Sequence, residues 1–97
     1  DFHEKQNRWR LLASPEPHRG TVTIRQDARI LTSALERQRR LSYVVERGRS
    51  AWLHVATGQM VVNGTTLGPG DAVATSRPTE LNLEGIVKAE AILFDLG

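Results

Sequence analysis

Turn residues cut this chain, from Arg8 onward, into short apolar pieces that follow one another about every eight to twelve positions, the spacing of an all-β sandwich or barrel. The breaks are Ser14-Pro15 with Pro17 to Gly20, then Asn63-Gly64, then Gly68-Pro69-Gly70-Asp71, and finally Arg77-Pro78. With 97 residues there is room for one domain around one core, and no internal repeat of solenoid length is visible.

The pieces between the breaks read as strands. Thr21 to Gln26 alternates, with Val22 and Ile24 on one face, and Leu81 and Leu83 repeat the pattern among Glu80, Asn82 and Glu84. Ala51 to Ala56 and Met60 to Val62 read as two adjacent strands joined through Gly58. In the first of them Trp52, His54 and Ala56 share the face opposite Leu53 and Val55. Ala91 to Phe94 has the look of a strand buried on both sides. Asn63-Gly64 marks a two-residue hairpin turn, because both central positions need positive φ, and it pairs Gln59–Val62 with Thr65–Leu67. Pro69-Gly70 suits a type II turn that feeds Asp71 into the next strand. The segment from Phe2 to Leu12, in which Trp9 and Leu11 alternate with Arg8 and Arg10, is a candidate crossing strand.

One stretch has two readings. From Ala28 to Arg40, Ile30, Leu31, Ala34, Leu35 and Gln38 fall at helical spacing, with Asp27 as N-cap and Arg37, Arg39 and Arg40 toward the C-terminal end. As a basic amphipathic helix it would be an element for nucleic acid or an anionic surface. The alternative is a strand followed by a charged turn, and periodicity alone leaves both open.

Composition narrows the classes. With 39% hydrophobic and 25% charged residues the chain belongs with soluble globular domains, neither disordered nor bilayer-spanning. Thirteen cations, eleven of them arginine, against eleven anions leave a net charge of +2, which makes a nucleic-acid partner unlikely. The lack of cysteine removes disulfides, thiolate metal sites and thiol nucleophiles, and agrees with a reducing, cytoplasmic setting. The opening Asp1 to Gln6 has neither Met nor an apolar run, which points to no targeting or membrane segment and to a trimmed chain or a piece of a longer protein.

The block W-L-H-V-A-T-G-Q-M-V-V-N-G-T-T-L-G-P-G-D-A-V-A, Trp52 to Ala74, resembles the central hairpin and the glycine–aspartate turn of the cupin superfamily. Its flanks, Leu11-Leu12-Ala13-Ser14-Pro15, Gly20 to Leu31 with its Q-D-A-R, and Ala91 to Leu96 with its L-F-D-L, sharpen this. Together they resemble the C-terminal cupin half of the pirin-like bicupins, a family associated with quercetin 2,3-dioxygenase activity. The resemblance implies a double-stranded β-helix, a small jelly-roll barrel of two facing antiparallel sheets, over residues 13–97, preceded by an arm over residues 1–12. It also favours strand over helix after Q-D-A-R, with 36–40 as a charged connection. The expected core is Val22, Ile24, Leu53, Val55, Val61, Leu81, Leu83, Ile92 and Phe94.

Cupin enzymes hold a transition metal with an H-x-H pair, a following Glu and a distant third His. Carried onto this chain, the resemblance puts these roles at Val45, Arg47, Ala51 and Thr79, none of which replaces an imidazole or a carboxylate. The expectation is therefore no metal and no cofactor in this domain, with catalysis confined to an N-terminal half. The three histidines, His3, His18 and His54, show no ligand-like spacing. No G-x-S-x-G elbow and no phosphate loop with its G-K-[ST] ending is present, and no catalytic residue is assigned.

Three roles remain. The first is structural, packing against an N-terminal cupin half or a second copy in a two-fold dimer. The second is binding of an anionic or aromatic small molecule in the vestigial pocket by Arg47, His54 and Trp52. The third is recognition of an acidic partner by Arg37, Arg39, Arg40 and Arg49, together with Arg47.

Overall fold

The computed structural model describes residues 6–97. Eight strands follow one another: β1 (Arg10–Ser14), β2 (Val22–Thr23), β3 (Ala28–Leu35), β4 (Arg40–Val45), β5 (Ser50–Val62), β6 (Thr65–Leu67), β7 (Ala72–Thr75) and β8 (Thr79–Leu96). No α-helix is present among them, so Ala28–Leu35 is the strand of the two readings, and no described helix is long and apolar enough to cross a membrane. β1 runs across the position where the N-terminal arm was expected to give way to the barrel, and the Phe2–Lys5 part of that arm lies outside the described residues.

Two long strands organise the barrel. β8 pairs with β4 through Thr79–Glu84 and with β3 through Ala89–Leu96, while along its other edge it pairs with β5. β5 in turn pairs with β7 near its start and with β6 near its end. The result is two facing sheets, β2-β1-β3-β8-β5-β7 and β4-β8-β5-β6, that share β5 and β8 and enclose one core. The shared strands bend where the β5/β8 register slips, between Val55 and Met60. Gly58 sits in this stretch with φ of 76°, and a Cβ there would stand 2.0 Å from the Lys88 carbonyl oxygen, so only glycine lets the strands approach. Ala51–Ala56 and Met60–Val62 are thus one bulged strand, where two adjacent ones were expected.

The hairpin turns behave as their residues dictate. Asn63 and Gly64 both have positive φ, and Val62 faces Thr65 across them. Gly70 has φ of 85°, the Asp71 amide donates to the Gly68 carbonyl at 3.0 Å, and β7 begins one residue later.

The core differs from the expected one in phase and at the edges. Leu53, Val55, Leu81 and Leu83 are buried as expected. Val22 is 65% exposed, because β2 is a two-residue edge strand with no layer above it, and Ile24 is half-buried beyond its end. Val61, Ile92 and Phe94 are half-buried on the outward face. Cross-strand partners share a face, and Leu93 opposite Leu53 and Ala91 opposite Val55 make the odd residues of β8 the inward set, with exposed Val87 beside the bulge as the exception. Leu35, Val45, Met60, Val62 and Ala89 complete the interior.

Candidate functional site at the barrel mouth

The four positions at which the resemblance implies metal ligands can be followed one by one. Val45 and Thr79 are direct partners across β4 and β8, and Ala51 is the partner of Asp95 across β5 and β8. Val45 and Ala51 are buried in the apolar cluster, so by register Val45, Ala51 and Thr79 share the interior face, while Arg47 is exposed in the turn between β4 and β5. An isopropyl group, a methyl group and one hydroxyl form no ligand set for Fe, Ni, Cu or Mn, and a guanidinium repels a cation. The residues present do not fit the metal that the fold family implies. Among the described residues no group of three His, Cys, Asp or Glu side chains is placed to hold an ion.

A hydrogen-bonded cluster occupies the mouth. Asp95 is inward-facing on β8 and only 4% exposed. One carboxylate oxygen accepts from the Tyr43 hydroxyl, and the other accepts from Arg49 Nε at 2.6 Å. Arg49 Nη1 donates to Asp27 at 2.9 Å, and Nη2 reaches the Asp95 carbonyl at 3.4 Å. The Asp27 carbonyl then accepts from the Gly97 amide at 2.8 Å, tying the chain end into the same cluster. Burial and, after it, the Asp95 hydrogen bond push the Tyr43 phenol well above its usual range, so it stays a donor. The bonds to Asp95 and then Asp27 hold the Arg49 guanidinium protonated even more firmly than usual. Above them Trp9 meets Tyr43 edge-on, with ring centroids 5.8 Å apart, and its indole N–H donates to the Ser42 carbonyl at 2.9 Å.

Tyr43, Asp95 and Asp27 do not stand out as site residues in a linear reading. The available signal is an acid at a core phase, since Asp95 follows Ala91 and Leu93 on the same face.

The arginine cluster is divided by the fold. Arg37, Arg39 and Arg40 lie around the β3–β4 turn, and Arg47 and Arg49 at the other end of β4, about 17 Å away at the usual rise per residue. Arg40 pairs with Glu84 at 3.1 Å on the surface, and Arg49 is committed to two aspartates. His54 and Trp52 do share the outward face of β5, with Trp52 49% exposed. Trp52 borders a shallow depression of about 280 Å³ with Ala74 and Leu96 that Arg47 does not line. The structure therefore does not gather Arg47, His54 and Trp52 into one pocket.

A family model described as the quercetinase C-terminal cupin domain matches residues 11–96. The chain belongs to that family. A curated quercetin 2,3-dioxygenase of Escherichia coli K12 is 24% identical over 86 residues, which are 89% of this chain and 37% of that protein. The crystal structure of YhhW from Escherichia coli superposes with a TM-score of 0.88 at 23% identity, covering 94% of this chain and 39% of the other. The nickel(II) complex of the bacterial pirin YhhW superposes at 0.85 and 24% identity, covering 91% and 38%. This cupin domain thus spans less than half the length of the relatives it matches.

Proposed function

We propose that this domain is the metal-free, non-catalytic C-terminal half of a pirin-like protein, whose work is assembly: it packs against a catalytic N-terminal cupin half or, when alone, against a second copy of itself. The observation that carries this reading is the mouth of the barrel, where the Tyr43–Asp95–Arg49 cluster supplies inward polar groups and the positions that the resemblance equates with metal ligands are Val45, Arg47, Ala51 and Thr79. An oxygenase centre needs open coordination positions and a chamber for substrate. Arginine and tyrosine donors saturating a buried carboxylate serve rigidity instead. The assembly part is supported by the outward face of β5 and β8, where Trp52 and Phe94 are partners and Leu96 is 42% exposed, an apolar surface of the kind that finds a mate.

The test is oxygen consumption with quercetin by the purified chain after loading with Fe, Ni, Cu or Mn. No turnover above a metal-free control is the expected result, and metal-dependent turnover overturns the reading. Sedimentation tests the assembly half: the chain should associate, and Trp52→Glu should sediment as a monomer, whereas an unchanged mass takes this face out of the interface.

A further inference from the structure

On the side of the barrel away from β5, the start of β1 and the turn before β2 enclose a depression of about 620 Å³, within the roughly 300–1,000 Å³ usual for small-molecule sites. Its lining includes Arg8, Arg10, Arg19 and His18 and, among the described residues, no acidic one. Arg8 and Arg10 each also hold an interaction within the chain, which leaves Arg19 and His18, on the turn before β2, as the groups the site offers to an anion. The nearby carboxylate of Glu16 is turned to Arg29 at 2.8 Å.

The walls are pre-set. The Thr21 amide and hydroxyl both donate to the His18 carbonyl, at 3.2 and 2.9 Å, and so fix the turn that presents Arg19. Gly20 lies in that turn with φ of 78° and open space where a Cβ would stand. Trp9, which also lines the depression with Leu11, is held by its bond to Ser42 and its edge contact with Tyr43. A guanidinium carried on a hydrogen-bonded turn beside a held aromatic ring suits a molecule with an anionic group and a flat apolar body, since guanidinium binds phosphate or carboxylate in a forked geometry and indole takes a ring against its face.

We propose that this depression is a binding site for small aromatic anions, phosphate or carboxylate in class, separate from the cupin interior. The probe is 1-naphthyl phosphate, titrated into the full chain and followed by amide and indole NMR. Saturable shifts are expected at the Trp9 indole and the Gly20 and Thr21 amides, with the Trp52 indole unmoved. 1-Naphthol, which lacks the anion, should bind about tenfold or more weakly, and Arg19→Glu, on an exposed turn, should weaken the phosphate by a similar factor. Arg77→Glu makes the same charge change outside the depression and should leave affinity as it was. Equal weakening by the two reversals, no preference for the phosphate over the naphthol, or shifts that fail to saturate or that centre on Trp52 would each overturn the assignment.

Discussion

The two ends of the barrel are built from the same pair of strands, β8 keeping its inward phase at both ends and β5 changing phase at its bulge, yet they are closed by opposite chemistry. At one end β5 and β8 bring Met60, Val62 and Leu83 together, and Leu67 caps them from β6, so the closure is hydrocarbon throughout. At the other end the same two strands bring Ala51 opposite Asp95, and the acid draws in Tyr43 and Arg49. The apolar end is held by area removed from water, which has no direction and no pH dependence. The mouth is held by directed bonds around a buried charge, where losing one partner strands the others. An inward-facing acid at the barrel mouth has to be satisfied, and here a guanidinium and a phenol do so.

That contrast can be broken at either end. Leu83→Ala leaves a cavity in the hydrocarbon end and should cost about 3 kcal/mol by denaturant unfolding, with the same loss at pH 6 and pH 8. A loss below 1 kcal/mol would mean that the end repacks and is not the close-packed element described. At the mouth Asp95→Asn keeps the shape but weakens the bonds to Arg49 and Tyr43, and about 2 kcal/mol should be lost.

Alkali sharpens the comparison further, because only the mouth titrates there. The folded chain holds the Tyr43 proton more tightly than the unfolded chain does, since burial and Asp95 raise its pKa. Its contribution is therefore intact below the unfolded value of about 10 and is lost as pH rises through the higher folded value. Stability should fall from about pH 10 upward in the native protein, and the fall should be shallower in Tyr43→Phe. Parallel curves would remove Tyr43 from the pH response. The smallest effect belongs outside both ends: Arg40→Ala deletes a surface pair with Glu84 and should change stability by less than about 0.5 kcal/mol. A larger loss would show that the β3–β4 turn contributes to closure.

How far the linear chain reveals this depends on whether a feature is local. The hairpin at Asn63-Gly64, the turn at Pro69-Gly70 and the inward phase of Leu53 and Val55 are legible because each rests on neighbouring residues, and the structure agrees with all three. The phase of β8 is not legible, because Ala91 to Phe94 is apolar on both faces and alternation cannot choose between them. The burial of Val22 is misread for a related reason, since alternation says which residues share a face and not whether anything covers it. Resemblance in the turn and strand motifs carries the family and the mismatch at Val45, Arg47, Ala51 and Thr79.

The sequence by itself determined the all-β class, the turn positions and the family, all of which reside in residue types and short motifs. Only the tertiary structure decided that Tyr43 and Asp95, fifty-two positions apart, share a proton donor and acceptor, that Arg49 leaves the basic cluster to join them, and that Arg19 and Trp9 line one depression. The physical reason is register: one slip of β8 against β5 would turn Asp95 to the surface and Phe94 to the core, and no local rule in the chain forbids it.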